Sequence, residues 1–354
     1  MKVAILGGGL MGRLIALAFN DLKAELTLFE KKTLDHKGNT ASIAAAMLAP
    51  ESESVHMPTE LLPMADRAIE RWPDILKQLG IPHALHRQGS LIICHPQDKH
   101  ELTDFIQRIP RQNKSRLLNE QTLYEMEPGL AKGLEGCLVT GEGHLDNDVF
   151  LERTTQWLYE HVHVFEKAEV VQTFQNRVHW LEVSGQAKQS AFDWIIDCRG
   201  IGAKVEYQSL RGVRGEIIRI RAPHVNLIRP VRLLHPRYPL YIVPKPDHRF
   251  VIGATEIETE SQAPITVRSV LELLSAAYSV SDGFAEAQVE AMQVGLRPAF
   301  SDHRPKVSVH EQVIRVNGLY RHGFLLGPAI AESVFKVIQN PIESIEGGYV
   351  EHLA

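Results

Sequence analysis

Gly7, Gly9 and Gly12 follow an apolar run, Lys2 to Leu6, and precede Leu14, Ile15, Leu17 and Ala18 at helical spacing. Residues of these types in this order are suited to holding a dinucleotide. Gly7 lets a strand turn tightly into a helix, Gly9 removes the Cβ that would keep a pyrophosphate off the backbone, and Gly12 lets helix and strand pack closely. Leu10 and Met11 open that helix, whose first amides face phosphate charge. A second apolar run, Leu26 to Phe29, ends on Glu30, a carboxylate placed to accept hydrogen bonds from a ribose diol. A glycine triplet alone also describes a plain βα turn. Strand, turn, helix, strand and terminal acid together favour the dinucleotide.

Beyond Glu30 comes a charged loop, Lys31 to Lys37, and then a run of small residues, Gly38 to Pro50, with hydroxyls at Thr40 and Ser42. Two readings stay open from the residues themselves. The run is either a tightly packed helix or a segment that lies along a cofactor and donates to its phosphates.

The elements that must position these residues are legible from periodicity. Pro58 to Leu79, Asp98 to Ile109, Asp146 to Tyr159 and Ile265 to Val280 carry helical patterns, with Asp146 or Asn147 available as an N-cap. Leu91–Ile93, His163–Val171, Arg177–Val183, Phe192–Cys198 and Val313–Val316 read as strands, the Phe192 run stopping at Gly200 and Gly202. From Arg214 onward short alternating runs separated by prolines suit an antiparallel sheet. A last helix follows Gly327-Pro328 and runs to Ile338. The fold class expected is α/β: a Rossmann-like dinucleotide domain of residues 1–80, 144–212 and 290–354, with an antiparallel α+β substrate domain of residues 81–143 and 213–289 inserted into it.

The 354 residues favour two lobes, and 44% apolar with 23% charged residues is a globular composition. A net charge of −5 with no basic block makes nucleic acid an unsuitable partner. Cys94, Cys137 and Cys198 stand far apart in apolar stretches without metal-ligand spacing, so no metal is expected and buried free thiols fit a reducing compartment. With a first strand at the N-terminus and no apolar run near the roughly 18 residues of a membrane span, a soluble cytoplasmic protein is expected.

The stretches Thr40–Glu53 (TASIAAAMLAPESE), Leu210–Glu216, Arg229–Pro244, Val251–Glu258, Gly295–Val307 and Asn317–Ala329 carry a more specific signal. In their order and spacing they resemble the FAD-dependent glycine oxidases of the D-amino-acid oxidase superfamily, in particular the thiamine-biosynthetic type. The resemblance covers nearly the whole chain. It implies FAD in the glycine turn, with Lys31 beside Glu30, Ser42 near phosphate, and Thr40, Ala46, Met47 and Leu48 along the cofactor. It also places Val170 on the adenine side, Gly200 after a second cofactor-contacting strand, and Arg321, His322, Gly323, Phe324 and Leu325 past the flavin pyrimidine edge. The entry to a helix at that loop would turn amides toward negative charge on a reduced flavin.

For substrate, the resemblance implies a small amino acid or amine, with hydride passing from Cα to flavin N5, an imine product and O2 reduced to H2O2. Arg297 matches the carboxylate-binding arginine, whose planar fork donates two parallel bonds. Tyr241 matches the active-site tyrosine, and no side-chain base in line with Cα is required. Without the resemblance, Arg297 would be read as a surface charge or a structural ion pair and Tyr241 as core. Two positions depart from the family: Glu256 stands where an apolar residue such as methionine is common, and Ala46 where glycine is usual. Glu256 either faces the pocket or points to solvent. A quinone-reducing flavin dehydrogenase, a flavoprotein acting on a partner protein, and a homo-oligomeric assembly remain open at this level.

Overall fold

A computed structural model describes residues 1–20, 22, 24–236, 239–339 and 350–352. Arg237 and Tyr238 of the Arg229–Pro244 stretch, and most of the chain after Gln339, lie outside the described residues.

The strand Lys2–Leu6 lies within a seven-stranded sheet, between Glu25–Glu30 and Trp194–Asp197 and parallel to both. Buried on both faces, it reads as a continuous apolar run, as parallel strands do. One face is covered by the helices Leu10–Ala18, Leu62–Gln78 and Gly323–Gln339, through Leu14, Ile15, Trp72, Leu326 and Ile330. The other is covered by a three-stranded antiparallel sheet, Glu169–Phe174, Arg177–Leu181 and Ala187–Ala191, whose Val170, Val178 and Trp180 pack on Ala4, Leu6 and Phe29. Late in the chain the strand Val313–Asn317 returns to this sheet beside Trp194–Asp197, so the first and last parts of the chain share one core.

The second large sheet has eight strands in the order Gln288–Ala299, Arg211–Arg221, Arg249–Gly253, Leu240–Lys245, Val231–Leu234, Ser90–Cys94, Glu135–Val139, Ser115–Leu118. It is antiparallel except where Val231–Leu234 runs parallel to Ser90–Cys94. The helix Val267–Val280 seals one face through Leu273, Ala277 and Val280. The α/β class with an antiparallel sheet is as expected. The expected boundaries at 212/213 and 289/290 fall inside the strands Arg211–Arg221 and Gln288–Ala299.

Two elements differ from the periodicity reading for local reasons. The expected strand His163–Val171 is two strands in different sheets, His163–Glu166 and Glu169–Phe174, separated at Lys167 with φ 54°. The helix expected from Pro58 begins at Leu62, after the single turn Thr59–Leu61, because Pro58 is extended at ψ 128°. The long strand Gln288–Ala299 was not read from the sequence: its apolar residues alternate only over Met292, Val294 and Leu296, and a register shift that leaves Glu290 unpaired breaks the pattern before them.

Candidate active site

The glycine turn opens onto a cavity of about 1300 Å³ that runs from Gly7, Gly8 and Gly9 to Tyr241 and Arg297. Gly7 has φ +100°, a conformation other residues adopt only under strain. A Cβ on Gly12 would stand 1.9 Å from the Gly7 carbonyl oxygen, so the close helix-to-strand approach requires glycine there. A Cβ on Gly9 would meet no protein atom within 4 Å; it would project into open space at the uncapped start of the helix Leu10–Ala18. Glu30 closes the turn by accepting from the Gly8 amide at 2.7 Å and the Lys32 amide at 2.9 Å. Lys31 pairs with Glu169 at 2.7 Å, and both line the cavity.

Arg13, fully buried, donates to the Gly8 and Leu34 carbonyls and to Thr154 and Thr155, tying the turn to the helix Asn147–His161. Nothing in the sequence marked Arg13, because one arginine inside an apolar helix has the look of a solvated face.

Thr40–Ile43 is a short helix capped by Asn39, and Ala44 to Met47 then run along the cavity, with Ala46 held at φ 56°. Thr40, Leu10, Met11, Val170, Gly200, His322, Gly323, Phe324 and Leu325 also line it. Ser42 and Leu48 do not. The Ser42 hydroxyl lies 2.7 Å from the Lys37 carbonyl and 2.9 Å from the Asn39 carbonyl, so its one proton is shared between two backbone acceptors.

At the far end three guanidiniums, those of Arg297, Arg232 and Arg321, come together with two carboxylates, those of Glu53 and Glu256. Arg297, on Gln288–Ala299, lies over Gly215 of the neighbouring strand: a Cβ there would stand 2.4 Å from the Arg297 Cζ. Its guanidinium donates to the Thr255 carbonyl at 3.1 Å and the Arg214 carbonyl at 3.4 Å, and has no carboxylate partner among the described residues. The Thr255 segment is anchored in turn by Glu216, which is buried and held by Arg214 at 2.6 Å. Tyr241 lies on the strand next to Arg232 and opposite Gly253. Burial pushes its phenol up against the pull of Arg297 and Arg321, which leaves a neutral hydroxyl able to donate.

Glu53 organises the rest. Its carboxylate accepts from Arg232, pairs with the Arg321 Nε at 2.9 Å and lies 3.5 Å from the His322 Nδ1. Burial alone would push Glu53 up, but Arg321, Arg232 and His322 hold it well below the usual carboxylate range. Arg321 reaches Glu256 at 3.2 Å with its other arm. Glu256 lines the cavity and, against its partial burial, Tyr320, Arg321 and Arg297 hold its carboxyl down. Two carboxylates thus match two of three guanidiniums, and Arg297 has no carboxylate ion-pair partner among the described residues. Glu53 and Arg232 were not identified as site residues from the sequence; an acid at the end of the Thr40–Glu53 run and an arginine inside a buried strand were the only signals.

His322 is 2% exposed, and burial pushes its imidazole down to about 4 from the ordinary 6.5, with Glu53 opposing. A base that is neutral when folded but protonated when unfolded destabilises the fold on acidification. The stability advantage of the wild type over His322→Asn is therefore expected to shrink as pH falls from 6.5 to about 4, by up to about 3 kcal/mol. Urea unfolding of both proteins across that range checks this; a pH-independent difference contradicts it.

The glycine turn, the open space over Gly9 and the adjoining cavity fit a flavin dinucleotide. The chain belongs to the FAD dependent oxidoreductase (DAO) family, whose model matches residues 2–336. It is therefore an FAD-dependent oxidoreductase. It is 35% identical over 335 residues to a Rhizobium etli protein named as a thiamine biosynthesis oxidoreductase ThiO, covering 94% of this chain and 95% of that one. It is 27% identical to the glycine oxidase of Geobacillus kaustophilus over 92% of this chain and 89% of that one. The crystal structure of glycine oxidase from the same organism superposes with a TM-score of 0.82 at 24% identity over all of both chains. Among the described residues no helix is long and apolar enough to cross a membrane.

Proposed function

We propose that the protein oxidises a small amino acid or amine at Cα to the imine, which water hydrolyses to the oxo acid and ammonia, with O2 reduced to H2O2. The observation that carries this reading is Arg297: a guanidinium on the cavity wall, without a carboxylate of its own, beside a neutral tyrosine hydroxyl. FAD, when bound, supplies the acceptor for the two electrons that leave with the Cα hydrogen. Arg297 holds the substrate carboxylate by two parallel charge-assisted bonds, and Tyr241 donates a third. Fixing that end of a small molecule orients its Cα, which is where most of the rate comes from when no side-chain base acts in line. Arg321, anchored by Glu53, closes the site on its other side. The glycine oxidase relatives support the amine class. On this reading residues 1–80, 144–212 and 290–354 carry the cofactor, and 81–143 and 213–289 shape the substrate end.

An oxygen electrode tests the proposal. Glycine, sarcosine and D-alanine should drive O2 uptake with equimolar H2O2 and ammonia or methylamine. Protein whose bound FAD is reduced by dithionite but which takes up no oxygen with any member of the panel overturns it.

Glu256 is proposed to tune specificity, because its carboxylate offsets Arg321 at the cavity wall. With its side chain 47% exposed, the pair contributes about 0.5 to 1 kcal/mol. Glu256→Met should shift the kcat/KM ratio two- to fivefold toward glycine and away from substrates with a second ammonium group, and Glu256→Gln should fall between. Identical ratios in all three proteins would place Glu256 outside substrate selection.

A further inference from the structure

Lys245 is a buried ammonium group that does not touch the cavity. Nζ donates to the Ala45 carbonyl at 3.1 Å, the Leu145 carbonyl at 2.6 Å and Asn147 Oδ1 at 2.9 Å, which uses its three protons. Asn147, fully buried, donates from Nδ2 to the Ala41 carbonyl at 2.9 Å and the Ala44 carbonyl at 3.0 Å. The Leu145 amide takes the Ala46 carbonyl at 3.0 Å. Four carbonyls of the Ala41–Ala46 segment are thus drawn back into the protein, while Ala44 to Met47 line the cavity on the other side.

A planar trans peptide carries its N–H opposite its C=O. Pulling the Ala44 and Ala45 carbonyls onto Asn147 and Lys245 therefore turns the Ala45 and Ala46 amides the opposite way. Neither amide finds an acceptor among the described residues. Ala46, at φ 56°, adopts a conformation that costs an alanine energy and persists because its surroundings enforce it. A positive charge behind two outward amides raises the potential at the cavity wall, and in a buried site that field is weakly screened.

We propose that Lys245, with Asn147, is a positioning residue that fixes the Ala44–Met47 segment as an amide donor wall and, through its charge, favours added electron density on the cofactor bound against it. Burial lowers the Lys245 ammonium to about 7, reinforced by Arg219 and opposed by Asp146 and Asp148, so the charged form is the one to examine below neutrality.

The test compares wild type, Lys245→Met and Lys245→Gln as FAD-loaded proteins at about pH 6, by spectroscopic redox titration and by FAD binding to the apoproteins, with no substrate present. Lys245→Gln keeps a donor without the charge, and it reads the same quantity should Lys245→Met fail to fold. Both variants should bind reduced FAD at least tenfold more weakly relative to oxidised FAD than the wild type does. That is a midpoint potential lower by about 30 mV for a two-electron couple. Asn147→Ser, which keeps the charge but loses two carbonyl anchors, should weaken FAD binding with a smaller change in potential. Variants that lose thermal stability but keep the wild-type potential would make Lys245 a structural residue and overturn the proposal. Because no amine enters the measurement, this outcome is independent of the substrate reading.

Discussion

Arg297→Ala is expected to lower kcat/KM for an amino-acid substrate by about 30-fold to several hundred-fold, with a far smaller effect on an amine that lacks a carboxylate. Removing a charge-assisted, bidentate contact from a site shielded from water costs roughly 2 to 4 kcal/mol. The geometry supports a large value, since among the described residues no carboxylate forms an ion pair with the guanidinium, whose own bonds go to two backbone carbonyls. Arg297→Lys should recover only part, because a point charge cannot reproduce the planar fork. Steady-state kinetics on glycine and on a primary amine of similar size check this. Equal losses on both would mean that Arg297 serves only to hold the Thr255 segment.

Gly9→Leu is expected to yield colourless, folded apoprotein. A side chain at this position meets no protein atom, so the fold has no reason to reject it, but it would fill the space at the helix N-terminus that the cofactor diphosphate needs. Gly12→Leu differs in kind. Its Cβ would lie 1.9 Å from a backbone oxygen, and the expected result is a failure to fold. Absorbance of the purified proteins, with circular dichroism as the control for folding, separates the two. A Gly9→Leu protein that retains one FAD per chain contradicts the assignment of this turn to the cofactor.

These contrasts indicate which parts of the site could be read in the residue string. Gly7, Gly9 and Gly12 announced themselves because each lacks a side chain for a different reason, and those reasons are local to one turn. Tyr241 and Arg297 needed a family resemblance, since an arginine before a proline and a tyrosine in an apolar strand look ordinary. The antiparallel pairing expected from Arg214 onward is present, with Leu240–Lys245 paired to Arg249–Gly253 and Asp247 and His248 at positive φ in the turn between them. The pairing of Glu256 with Arg321 was not legible, because it joins two connecting segments far apart in sequence, one after Arg249–Gly253 and one after Val313–Asn317. Glu53, Arg232 and Lys245 were missed on the same ground: buried charges are recognised by the partners that compensate them, and those partners come from distant elements. Ser42 shows the converse. A hydroxyl in a small-residue run suggested a phosphate ligand, and in the structure it bonds locally to the Lys37 carbonyl, a partner that the run itself does not announce.

The central claim is that the unmatched guanidinium at the end of the cavity receives the carboxylate of an amine that the flavin oxidises. Anaerobic titration of the yellow protein with small amines and amino acids tests it most directly. The account predicts bleaching of the flavin band by amino acids at one equivalent per FAD, full return of colour on admitting air, and loss of the response in Arg297→Ala at concentrations that saturate the wild type. A flavin that stays oxidised with every amino acid, yet bleaches with dithionite, would contradict it.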